Sequence, residues 1–193
     1  MVKGVKGIIT YWRYRKYRSR LEARWACMFD LLGWKYEYEP YDLNGWIPDF
    51  ILVGDTEILV DVKPYTTLKE FEECELDKIM KAIKGTEKYG KEILLLGCTI
   101  FEKAECWASA PALGWLGEFG RTFGEGVRFG YSYSFGYAVF NHNKYWGFFH
   151  DSMWYKDRIT GLYDGDNHII IPTYEEVLEL WNKAGNQTQW KKP

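Results

Sequence analysis

Apolar and polar positions repeat with two different periods along the first hundred residues. From Arg20 to Leu32, the residues Leu21, Trp25, Met28, Phe29 and Leu32 recur at helical spacing, and Gly33 follows where a helix would end. WKYEYEP then sets Trp34, Tyr36 and Tyr38 against Lys35, Glu37 and Glu39, the period of a strand that Pro40 closes. YDLNG reads as a loop, and IPDFILV and ILVDVK as two strands joined by the turn GDTE. A second helix is predicted from Leu68 to Lys84. Thr67 and Glu70 form its capping box, Leu68, Phe71, Leu76, Ile79 and Ile83 its buried stripe, and Gly85 stands at its end. EILLLG is apolar almost throughout, as a central strand should be. The order so far is αβββαβ.

After Cys98 the pattern changes. Residues 114–147 contain eight glycines, and RFGYSYSFGYAVF alternates strictly. Phe129, Tyr131, Tyr133, Phe135 and Tyr137 face one way, with Gly130, Ser132, Ser134 and Gly136 opposite. That predicts one or two strands with an aromatic face, either packed over the core sheet or open for stacking on nucleic acid. HIIIP reads as a strand and TYEEVLELWNKAG as a closing amphipathic helix. The expected fold class is α/β, with an α+β mixed sheet. A basic aromatic arm (1–16) precedes a core (17–100). An aromatic, glycine-rich extension (101–185) packs on that core, and a loose tail (186–193) ends the chain.

A chain of 193 residues with 47% hydrophobic and 27% charged residues describes one globular domain with a real core. Aromatics are abundant at 19%. The net charge of −2 conceals a segregation: residues 1–20 carry seven basic residues and no acid, leaving 18 basic against 27 acidic residues in the rest. YWRYRKYRSR interleaves Arg13, Arg15, Lys16, Arg18 and Arg20 with aromatics, as a phosphate-contacting arm or a solvated basic terminus would. Cys27, Cys74, Cys98 and Cys106 form no Cys-x-x-Cys pair, which disfavours a zinc site and suits a reduced intracellular protein. With neither an apolar leader nor an 18-residue apolar run, the expectation is a cytoplasmic protein that enters no membrane.

The unusual chemistry lies in WIPDFILVGDTEILVDVKP, where Asp49, Asp61 and Lys63 occupy positions otherwise suited to a buried sheet. If Val53 faces Ile58 across the hairpin, Asp49 lies opposite Val62. A slip of one residue sets Asp49 directly across from Asp61. In either register Asp61 and Lys63 share one face of their strand, and Val60 and Val62 the other. Two carboxylates at ~4 Å repel by about 4 kcal/mol at an effective dielectric of ~20. A raised pKa, the lysine or a divalent cation can offset that. Hard oxygen donors with open positions suit Mg²⁺ or Mn²⁺. Lys63 could then orient the attacking water or stabilise the phosphoryl transition state. The plainer alternative is a solvated hairpin face. Glu22 lies at the edge of the first helix's apolar stripe, from which it can point towards the aspartates, yet Ser19-Arg20-Leu21-Glu22 also spells a capping box. His142, His150 and His168 are scattered and read as surface or core histidines.

Taken together, RSRLEARWACMFDLLGWKYEYEP, WIPDFIL and ILVDVKP resemble the PD-(D/E)XK nuclease superfamily, especially its phage-encoded junction-resolving endonucleases and the nuclease subunit of heteromeric transposases. The resemblance covers residues 17 to 97. It implies a restriction-endonuclease-like core, with Asp49, Asp61 and the Val62 carbonyl holding Mg²⁺ or Mn²⁺. Glu22 would complete or support the site, and Lys63 would assist the attacking water. The implied activity is metal-dependent endonucleolytic hydrolysis of DNA, with junction or branched DNA as a substrate class and a virus or mobile element as the encoding source. No nucleotide cofactor is called for, and a homodimer would suit paired-strand cutting. Three other readings stay open: a non-cleaving nucleic-acid-binding protein on the same scaffold, an exonuclease of the superfamily, and a protein-interaction module with solvated hairpin charges.

Overall fold

A computed structural model describes residues 7–87, 89–102, 110–120, 132–151, 156–163 and 169–189. Cys106, Phe129, Tyr131, His168 and the arm's Lys3 and Lys6 lie outside these.

Among the described residues nine strands and three helices follow one another as β1 (Thr10–Trp12), β2 (Arg15–Tyr17), α1 (Arg20–Leu32), β3 (Lys35–Tyr38), β4 (Phe50–Val53), β5 (Glu57–Val62), α2 (Leu68–Glu87), β6 (Glu92–Phe101), β7 (Ala112–Gly120), β8 (Ser132–His142), β9 (Trp146–His150) and α3 (Tyr174–Gln187). Strands β3 to β9 form one mixed sheet in sequence order. Every neighbouring pair is antiparallel except β5–β6, which α2 connects as a crossover.

Helix α1 forms where its apolar spacing predicts. The Ser19 hydroxyl accepts the Glu22 N–H at its start, and Gly33, at φ 75°, closes it in the left-handed conformation that glycine adopts without a Cβ penalty. Its buried face (Trp25, Met28, Phe29, Leu32) packs with Val177 and Trp181 of α3 over Phe50, Leu52, Val60, Val62, Leu94 and Leu96 of the sheet. Burial of each such side chain contributes about 1.5–3 kcal/mol. Phe71, Ile79 and Ala82 of α2 cover the other sheet face through Ile51, Leu59, Ile93 and Leu95. Strand β6 is thus buried on both faces, which explains its unbroken apolar run.

Several expectations need correction. Leu76 is exposed, because Glu75 takes the half-buried position on α2 and accepts the Tyr65 hydroxyl at 3.1 Å. Gly85 lies inside α2, close against Leu43, and the helix runs on to Glu87. Within HIIIP, the described residues 169–172 form no strand. Ile169 and Ile171 pack beside Val139 and Phe149, and one backbone bond, from His142 N–H to Ile170 C=O, ties the segment to β8. Within the extension, β7, β8 and β9 continue the core's sheet, and α3 packs against α1. The tail expected to be loose begins inside α3: Gln187 accepts from Cys27 Sγ at 3.2 Å, and Thr188 is a buried cap.

The basic arm is also not free where it is described. Strands β1 and β2 make a hairpin whose two turn residues, Arg13 and Tyr14, both have positive φ, as a two-residue primed turn requires. Trp12 Nε1 donates to Asp30 on α1, and Tyr17 is buried in the core. The hairpin is held against the domain.

Candidate active site

The sheet hairpin adopts the slipped register. Val53 pairs with Glu57 and Phe50 with Val60, and Asp49, just before β4, is held beside this end of β5. Asp49 N–H donates to Val60 C=O at 2.8 Å, and its carboxylate reaches sideways to accept Val62 N–H at 2.7 Å. Val60 and Val62 face the α1 core, and Leu59 faces the α2 core. By alternation Asp61 and Lys63 lie on the α2 side. Asp49 is 2% exposed and Asp61 5%. They are therefore not the solvated hairpin charges of the plainer alternative.

One ammonium reaches both acids. Lys63 Nζ lies 2.7 Å from Asp61 Oδ1 and 3.7 Å from Asp49 Oδ2, and it donates to Val62 C=O at 3.2 Å. Burial pulls the Lys63 pKa down, but Asp61 and Asp49 outweigh it and hold it above the usual lysine value. Lys63 is thus a donor, not a base, at neutral pH. Burial and then repulsion from Asp61 push Asp49 up to about 7, against the opposing pull of Lys63 and the Val62 N–H.

Arg18, assigned from the sequence to phosphate contact, is the residue whose place spacing could not reveal. Its guanidinium binds Asp49 Oδ1 at 2.5 Å and Glu39 Oε1 at 2.8 Å, and its Nε lies 3.9 Å from Glu22 Oε2. Burial lowers its pKa, but Asp49, Glu22 and Glu39 together raise it further, so the charge persists.

Glu22 is 7% exposed and its oxygens are engaged. Oε1 accepts the Ser19 hydroxyl at 2.9 Å, and Oε2 the Tyr38 hydroxyl at 2.6 Å. It is not the reciprocal capping-box acid, which α3 does show at Thr173 and Glu176. Among the described residues no group of three or more His, Cys, Asp or Glu side chains is placed to hold a metal ion. Glu22 instead braces Tyr38 and Arg18.

Of the other basic candidates, Arg15, Lys16 and Arg20 are exposed, whereas Arg13 pairs with Asp30 at 3.3 Å. His142 stacks on Trp146 and His150 is buried, both remote in sequence from the acid pair. Among the described residues no helix is long and apolar enough to cross a membrane.

Asp49, Asp61, Glu22 and Glu39 gather around the two cations Lys63 and Arg18, beside the Val62 carbonyl. No protein-family model, curated protein or solved structure matches the chain.

Proposed function

We propose that the protein is a divalent-metal-dependent DNA endonuclease of the PD-(D/E)XK type. One observation carries the reading: two buried carboxylates, Asp49 just before β4 and Asp61 on β5, share one half-buried lysine. Buried like charges need opposite charge to offset them, and a divalent cation would add to what Lys63 and Arg18 supply. The order α1–β3–β4–β5–α2–β6 is that expected of a restriction-endonuclease-like core, and we read it as one.

Asp49, Asp61 and the Val62 carbonyl would hold the ion. When bound, Mg²⁺ or Mn²⁺ supplies Lewis-acid chemistry, making water a better nucleophile and neutralising phosphate charge. Lys63, kept protonated by both aspartates, donates to the phosphoryl oxygens and stabilises the charge that builds there. The Val62 N–H fixes the Asp49 carboxylate, and Arg18, braced by Glu22 and Glu39, fixes its other oxygen. Arg15, Lys16 and Arg20 present exposed positive charge for the phosphate backbone. Junction or branched DNA is the substrate class we favour.

A second reading has its own support. Arg18 already neutralises Asp49, and no third acid joins the pair, so the fold could bind DNA without cutting it. A Mg²⁺-dependent panel of supercoiled plasmid, linear duplex, single strand and four-way junction decides between them. Nicked or linear plasmid supports the endonuclease. Binding to all four with no product supports the second reading, and degradation of the linear forms alone makes the enzyme an exonuclease.

A further inference from the structure

A cleft of about 630 Å³ opens between the start of α2 and strands β6 to β9. Its size is that of a small-molecule site. Phe101, Trp115, Phe135 and Tyr137 line it, with the Phe101 and Trp115 rings 4.6 Å apart and the Phe101 and Tyr137 rings 6.3 Å apart. His150 and Asp151, whose Nδ1 and Oδ1 are 3.5 Å apart, also line it. Gly136 makes this possible: a Cβ there would fall 2.2 Å from Asp151 Oδ1 and 2.4 Å from His150 Cε1.

The cleft is tied to the acid pair by the chain itself. Its edge includes Thr66, three residues beyond Lys63, so the two are at most ~11 Å apart along the backbone. That span is about three nucleotides of stacked strand at ~3.4 Å each. Charge then assigns the parts. Among the described residues no lysine or arginine lines the cleft and an aspartate does, which disfavours phosphate there and favours a flat group that donates hydrogen bonds. Phosphate is better served by Lys63 and the basic hairpin.

We propose that the cleft takes an unpaired base of the strand whose phosphodiester lies at Lys63, stacked on the cleft's aromatic rings with its amino edge towards Asp151. A base still in a duplex hides its faces against its neighbours, so the occupant comes from a single-stranded or branched segment. This inference rests on the nuclease reading and supplies its substrate preference.

The test uses the full chain in EDTA with a single-stranded oligonucleotide carrying 2-aminopurine. Stacking in the cleft quenches its fluorescence on binding. Phe135→Leu, which keeps bulk but removes the ring, weakens affinity ~10-fold while the melting temperature and calorimetric Mg²⁺ affinity hold. Free 2-aminopurine deoxyriboside at equal concentration does not compete. No quenching by the wild-type protein, unchanged affinity in Phe135→Leu, or full competition by the nucleoside would each overturn the proposal. Quenching without Mg²⁺-dependent cleavage of the same strand supports the cleft and overturns the nuclease reading. Cleavage with unchanged affinity does the reverse.

Discussion

The carboxylate of Asp49 accepts the backbone N–H of Val62 at 2.7 Å, so the strand that carries one acid also aims the other. That bond turns a hairpin with two awkward acids into a fixed pair beside Lys63.

The proton on Asp49 should report this arrangement. Its folded pKa, about 7, lies above the ~3.9 of an unfolded aspartate, so the folded chain binds that proton more tightly. Without metal, stability is greatest below the unfolded value and declines as pH rises towards 7. Mg²⁺ competes with the same proton, so its affinity should rise up to ~10-fold per pH unit across that window and level off above it. Calorimetric titrations at pH 6, 7 and 8 check the trend. A flat profile would mean that Asp49 is no ligand.

Glu22→Gln separates bracing from ligation. The Ser19 and Tyr38 hydroxyls lose a charged acceptor, which should cost ~1.5–3 kcal/mol of unfolding free energy. Mg²⁺ affinity should stay within about threefold, whereas loss of even an outer-shell metal partner typically costs ~10-fold or more. Denaturant unfolding and calorimetry on the same variant decide it.

Arg18→Gln removes the guanidinium that stands on Asp49. Arg18 is half exposed, so solvent screens the loss to about 1 kcal/mol in metal-free protein. Mg²⁺ affinity should rise a few-fold, since the ion no longer competes with that cation. A thermal melt should show the deficit shrinking as Mg²⁺ is added. An equal deficit at every concentration would remove Arg18 from the site.

Neutralising Arg15, Lys16 and Arg20 together should lower the slope of log affinity against log salt by about 3. Arg13→Gln should barely move it, because Asp30 already holds that side chain. Filter binding on one duplex at several salt concentrations measures both.

Much of the local structure was legible. Ser19, the Leu21-to-Leu32 spacing and Gly33 gave α1 its limits because each acts within a turn or two of the chain. The hairpin register was not legible, because both alignments bury the same apolar residues. The turn is settled from afar: a Cβ at Gly54 would lie 2.4 Å from Arg158 C=O. Strand β7 hid among glycines such as Gly114, where a Cβ would meet Leu95 C=O at 2.2 Å. Strand β9, WGFFH, shows no alternation because its residues are half-buried or buried throughout. Within HIIIP, residues 169–172 carried a strand's composition without a ladder to join. Within the site, Asp49, Asp61 and Lys63 could be read from spacing. Arg18 could not, because one basic residue among seven looks like its neighbours until Asp49, 31 positions on, folds against it.

The central claim is that the buried pair of acids runs phosphodiester hydrolysis. Supercoiled plasmid incubated with Mg²⁺ and either wild-type protein or Asp61→Ala tests it most directly. The account predicts nicking or linearisation by the wild type and none by Asp61→Ala, with both proteins binding the plasmid to within a few-fold. Cleavage at equal rates by the two proteins would contradict it.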